Sequence, residues 1–357
     1  MQVQKLKDLR EKIKPLEFKK IEAPGDYFSI AFKAFDGGNA KISFNPFELN
    51  IISVADSNGN KKFTFIYPKF DKYTKNKDYQ KSVESFVNDT IGSQEVIKKF
   101  VKLLGYEKLT DLSYVIKNAN SNAVMEMAEW SFIFNKITSG TDEPTIVMKD
   151  GLLRSKILKD THISKMVAIA EANKKYVKLV GVSKTSKIMN LLATALFMDQ
   201  KIPSESIAYV KVPLELELMA YKWSGHGEIG VDKPLDYAFG NLYIAKLSKH
   251  SNLLTTIEIP RDIKNDRDIY TEEEVTEIIS YLAKDSAHSY PNIGYPQTLM
   301  KAHEVAVEVG FPLSITKDEI KDRIIEVLGD DKAKEYIKSG EFILESVNKG
   351  VLGGNRV

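Results

Sequence analysis

The chain has 357 residues, 43% of them hydrophobic, enough to bury a sizeable core in one elaborated domain or two. Its 51 Lys and Arg against 49 Asp and Glu leave a net charge of +2, so a polyanionic partner must be met by a local basic patch. The absence of cysteine excludes disulfides, thiolate zinc sites and cysteine nucleophiles, and leaves carboxylates and five histidines as metal ligands.

Val3, Leu6, Leu9, Ile13 and Leu16 recur at helical spacing and predict an amphipathic helix ending near Pro15, available to pack on the body or on a partner. This amino terminus lacks an apolar signal core, and no later stretch is long enough to span a membrane, so a cytoplasmic protein is expected. From Tyr27 to Asp36 the pattern is that of a strand. Phe28, Ile30, Phe32, Ala34 and Asp36 share one face, so Asp36 ends an apolar row before Gly37 and Gly38. Two further strands, Phe47 to Val54 and Lys62 to Tyr67, flank the turn signal SNGN and predict an antiparallel meander.

Residues 70–120 are polar and are expected to be an insertion or partly helical, with Ser93 to Leu104 the best helix. Ala123 to Ile137 is apolar around nearly its whole circumference, which predicts a buried helix carrying Glu126 and Glu129. Thr145 to Lys149 reads as a short strand that presents Asp150 on the face of Ile146 and Met148, again before glycine. A helix over His162 to Lys174, a strand over Tyr176 to Val182 and a helix over Thr185 to Phe197 follow. Ile207 to Met219, Asn241 to Leu247 and Leu253 to Ile259 read as strands, and Thr271 to Lys284 and Pro296 to Val309 as helices. The tail from Thr316 is charged and helical until Gly350. Together these predict an α/β fold, a mixed sheet flanked by helices.

Asp36 and Asp150 would expose carboxylates at a sheet edge, where ligands gather in α/β folds, although Asp-Gly is also a common turn dipeptide. Glu126 and Glu129 lie inside a buried helix, where an ionised carboxylate needs a cation or a hydrogen-bond network. Either an ion pair or a metal would serve, and Lys136 is poorly placed to pair with Glu129. His303 falls between Leu299 and Val307 on the apolar side of its helix, as a structural or a catalytic histidine would. The segment VGVSKTSK lacks the glycines of a P-loop. It still sets Ser183, Lys184, Thr185 and Lys187 at a strand-to-helix junction, a natural anion site that an ordinary cap with solvated lysines would also explain. Two strand aspartates, a helical glutamate and a histidine would suit two hard divalent ions, about 3.5 to 4 Å apart, for phosphodiester cleavage.

In order along the chain, FDGG at Asp36, MAEW at Glu129, KDGLL at Asp150, GVSKTS at Lys184 and YPQTLMKAH from Tyr295 to His303 resemble the recurring elements of the NurA nucleases. The resemblance spans residues 30–310. Two positions depart from its pattern, Gly38 where a small hydroxyl residue is common and Leu152 where serine is expected. The resemblance implies an RNase H-like core; the helical amino- and carboxy-terminal extensions, the first 25 residues and those after Thr316, lie outside it. It also implies Mn²⁺-dependent (or Mg²⁺-dependent) endo- and exonuclease activity on single- and double-stranded DNA in end processing and repair, homodimerisation, and a HerA-type hexameric ATPase as partner. It assigns Asp36, Glu129, Asp150 and His303 to the metal ions and Tyr295 to the catalytic neighbourhood; Lys184, Thr185, Lys187 and Arg154 are the expected DNA-phosphate contacts. The expected domain limits are 1–24 for the amino-terminal helix, 25–312 for the nuclease domain and 313–357 for the extension. A non-catalytic DNA clamp serving the ATPase is the alternative. A Mg²⁺-dependent phosphatase is a weaker one, because the Asp-x-Asp signature is absent at Ala34-Phe35-Asp36.

Overall fold

The structure, a computed structural model, describes residues 2–25, 30–44, 47–70, 75–155, 157–184, 187–217 and 239–308, with single helical positions at Glu326 and Glu335. Strand β1 (Lys19–Ile21) is short. Strands β2 (Ala31–Phe44), β3 (Phe47–Asp56) and β4 (Lys61–Pro68) form the expected antiparallel meander. Its β3–β4 turn is held by the Asp56 carboxylate, which accepts the Asn58 and Asn60 amides at 3.0 Å. Strands β5 (Thr145–Asp150) and β6 (Val177–Ser183) run parallel to β2, which gives the central order β4-β3-β2-β5-β6. A three-strand meander whose first strand is extended by two parallel strands is the RNase H-like arrangement. Strands β9 (Leu254–Asp262), β8 (Gly240–Lys246), β7 (Ile207–Lys211) and β1 continue the sheet beyond β6, and β10 (Arg267–Asp268) pairs with β9. Parallel and antiparallel pairs therefore coexist in one mixed sheet flanked by helices.

Helix α1 (Gln2–Ile13) opens the chain. Between β4 and β5 lie α2 (Lys77–Phe86), α3 (Glu95–Leu103), α4 (Tyr114–Lys117) and α5 (Ser121–Thr138). Of the two expectations for residues 70–120, the helical one matches the structure: α3 falls within the expected Ser93 to Leu104 helix, and the segment packs into the core. Ile97, Phe100 and Val101 of α3 and Val83 of α2 are buried, and Phe100 packs its ring on Phe134 of α5, 5.6 Å between centroids. An amphipathic stripe hidden among many lysines made the segment look polar.

Helix α5 lies on one face of the sheet, where Phe35 of β2 stacks on its Phe132 at 6.4 Å. Helices α6 (Asp160–Asn173), α7 (Lys187–Met198), α8 (Glu272–Ser286) and α9 (Gln297–Val307) complete the described set. Helix α9 crosses β2 and β3 on the face opposite α5. The close approach is set by Gly38, where an added Cβ would stand 2.0 Å from the carbonyl oxygen of Ala306. Only glycine fits there, which explains why this position departs from the small hydroxyl residue of the resemblance.

One expectation changes. Residues 207–219 yield a strand only to Lys211, because Pro213 cannot donate to a ladder and a helical turn follows at 214–217. Of the two uses left open for α1, packing on the body is the one seen: Leu9, Ile13 and the following Leu16 are buried in one cluster with Leu192, Ala195 and Leu196 of α7. The carboxy-terminal extension from 313 and the start of the first predicted strand, at Tyr27 to Ser29, lie outside the described residues. No helix among the described residues is long and apolar enough to cross a membrane.

Candidate metal centre

Asp36 is not at a strand end. Strand β2 runs on through Gly37 and Gly38 to Phe44, since two residues without side chains let α5 and α9 close on it from both faces. Asp150 does end β5, and Gly151 turns the chain with φ +90°, as an Asp-Gly turn requires. Ala34 lies beside Met148 and Phe35 beside Lys149 in the parallel ladder, so continuing the register sets Asp36 next to Asp150 on one face.

Helix α9 supplies the third group. His303 Nδ1 lies 2.7 Å from Asp36 Oδ2 and 3.4 Å from Asp150 Oδ2. One ligand atom from each of Asp36, Asp150 and His303 falls within 4.8 Å of the others. Burial, and then the nearby charge of Asp150, push the Asp36 carboxyl above its ordinary range against the opposing pull of His303. Two carboxylates held in mutual repulsion beside an imidazole are a donor set that a hard or borderline divalent cation would relieve, so these residues fit a Mn²⁺ or Mg²⁺ ion. His303 is not the enclosed residue expected from its helix face. Its side chain is 45% exposed, because the buried face of α9 runs through Leu299, Ala302 and Ala306, and His303 lies at its margin with the exposed Val307.

Tyr295, just before the first turn of α9, reaches the expected catalytic neighbourhood from inside the core. Its ring is fully buried and its hydroxyl donates to Asp150 Oδ1 at 2.9 Å, with the Val182 carbonyl at 3.3 Å. The phenol has one proton, and the shorter bond to a carboxylate is the stronger claim on it. Burial raises its pKa beyond the usual tyrosine range, so the hydroxyl keeps that proton and fixes the orientation of Asp150.

Glu129 stands apart from this cluster. It projects from α5, on the other face of the sheet, and its Oε2 meets Lys149 Nζ at 3.0 Å, while its buried Oε1 has no hydrogen-bond partner. Burial pushes its carboxyl up, to about 8, with Lys149 pulling the other way. Burial works against the Lys149 ammonium, but Glu129 and then Glu126 outweigh it and hold the lysine charged. Nothing in the sequence reasoning had singled out Lys149. The available signal was its position inside the apolar run IVMKD, where strand alternation turns it toward the glutamates of α5.

Among the expected phosphate contacts, Lys184 lies just past the end of β6 with Nζ 4.5 Å from the Tyr295 ring centre, hence beside the group that holds Asp150. Thr185 is outside the described residues, and Lys187 begins α7. Arg154 is turned inward and does not offer a charge to a phosphate. Its guanidinium is buried between Glu217 and Glu258, and Glu258 also accepts the amides of Phe239 and Gly240 at 3.1 and 3.0 Å. Two buried carboxylates demand a counter-cation, and Arg154 supplies it.

A family model described as the NurA domain matches residues 67–308. No curated protein sequence matches the chain. Among solved structures, the NurA nuclease from Sulfolobus solfataricus is similar at 13% identity, with 93% of this chain and 92% of that one covered and a TM-score of 0.41. A second NurA structure is similar at 8% identity, with 92% and 96% covered and a TM-score of 0.47. A third, NurA bound to dAMP and manganese, is similar at 9% identity, with 88% and 93% covered and a TM-score of 0.41.

Proposed function

Because the chain belongs to the NurA family, we propose that it is a divalent-metal-dependent DNA nuclease whose centre is built by Asp36, Asp150 and His303. The observation that carries the proposal is the meeting of these three groups from β2, β5 and α9. An ion held there would neutralise phosphate charge and activate a water for in-line attack.

The protein's own residues do the positioning. Tyr295 keeps its proton on the Asp150 carboxylate and so holds one ligand in a single orientation. His303, half-exposed, closes the centre on the solvent side, where a phosphodiester would arrive, while Asp36 anchors it from below. Lys184, beside Tyr295, is suited to meet a backbone phosphate at the rim. Glu129 supports β5 from the opposite face through Lys149.

The finer parts of the proposal rest on family membership. They are endo- and exonuclease action on single- and double-stranded DNA in end processing and repair, a homodimer, and work beside a HerA-type hexameric ATPase. Size-exclusion chromatography with and without such an ATPase tests the assembly. The activity is tested by incubating the full chain with linear single- and double-stranded DNA in Mn²⁺, in Mg²⁺ and in EDTA. Cleavage in a divalent ion and none in EDTA is expected; intact DNA in every lane contradicts the proposal.

A further inference from the structure

The number of ions the centre takes is written in the surroundings of Lys149. Strand alternation sends Asp150 toward α9 and its neighbour Lys149 toward α5. There the Lys149 ammonium is held from three sides, by Glu129 Oε2 at 3.0 Å, by the carbonyl oxygen of Asp150 at 3.0 Å and by the Trp130 ring at 5.7 Å. The residue is only 7% exposed. Glu126, from the same helix, adds a second carboxylate to the lysine's field.

A two-ion centre would need a donor for a second ion about 3.5 to 4 Å from the first. Asp36, Asp150 and His303 converge on one point, and Glu129 is not within their group. One oxygen of Glu129 already faces an ammonium, and an ion entering at the other would share a single carboxylate with a fixed positive charge. The two cations would repel each other at close range in a buried place.

We propose that Lys149 is the resident second cation of this centre: its ammonium occupies Glu129, and the chain binds one divalent ion, on Asp36, Asp150 and His303. The inference rests on the metal-dependent reading of the centre and adds the ion count to it. Lys149 also joins the two halves of the site, because the ammonium that holds Glu129 donates to the peptide that carries Asp150.

Counting Mn²⁺ bound to the full chain by the loss of the free-ion paramagnetic resonance signal tests this without any turnover. One ion per chain is expected in the native protein and none tightly held in Asp150→Asn. Glu129→Gln should keep the count at one with a Kd within about threefold of native. Lys149→Met, similar in shape but neutral, should admit a second ion at Glu129. Two ions per native chain, one of them lost in Glu129→Gln, would overturn the role of Lys149 while leaving the metal-dependent reading intact. No ion in the native protein would overturn both. Should Lys149→Met fail to fold, the native and Glu129→Gln counts still decide.

Discussion

Tyr295 illustrates how a site residue can be foreseen while its work is not. Its place in the Tyr-Pro element pointed to the centre, but a hydroxyl that holds Asp150 from inside the core is a contact across 145 residues. Replacing Tyr295 by Phe removes a hydrogen bond to a charged group and leaves one Asp150 oxygen without it, so Mn²⁺ affinity should weaken roughly tenfold with the fold retained. Isothermal titration with Mn²⁺ measures this; native affinity in the variant would assign the hydroxyl to the Val182 carbonyl instead. His303→Ala should weaken ion binding further, since it removes a ligand and leaves Asp36 facing Asp150 without the imidazole. Local patterns reached Asp36 and Asp150 because each continues an apolar alternation. They could not reach Lys149 or the inward turn of Arg154, because the partners of both lie on other elements and only the fold chooses among them.

At the scale of elements, α5, β5 and β6 were legible because their apolar residues are dense and only briefly interrupted. Between 70 and 120 only α3 was legible from its own stripe, because the other buried residues there are spread thinly among polar ones. The Gly38 contact shows how closely element packing and chemistry are linked. Alanine at 38 would drive a methyl into the Ala306 carbonyl, three residues from His303, and force α9 off β2. A stability loss of about 1 to 3 kcal/mol is expected, together with weakened Mn²⁺ binding, measured by chemical denaturation and by titration. Helix α6 carries a pH dependence of its own. His162 Nδ1 accepts the Lys159 amide at 3.1 Å and its Nε2 faces Tyr106 at 2.9 Å, an arrangement for the neutral ring. Burial, then Lys165 and Lys159, lower its pKa in the fold. The unfolded chain therefore binds the proton more readily, so His162 stabilises the fold fully above its unfolded pKa of about 6.5 and loses that contribution as pH falls. Denaturation midpoints at pH 8 and pH 5.5 should fall further apart in the native chain than in His162→Gln; equal gaps would show that the ring protonates without strain.

Across the whole molecule, the near-balance of charge requires a local group of cations to meet DNA, and Lys184, beside Tyr295, is proposed as one of them. Lys184→Ala should reduce the slope of log affinity against log salt by about one, the signature of a single phosphate contact. The mixed sheet brings β2, β5 and α9 together from residues 36, 150 and 303, a convergence that no local window contains. The central claim is that this convergence is a metal-dependent nuclease centre. Its most direct measurement is the cleavage of linear DNA in Mn²⁺ by the native chain and by Asp36→Asn, with folding of both checked by circular dichroism. Cleavage by the native chain, and loss of activity by roughly a thousandfold or more in a folded Asp36→Asn, is the expected result. Native-level cleavage by the folded variant would contradict the account.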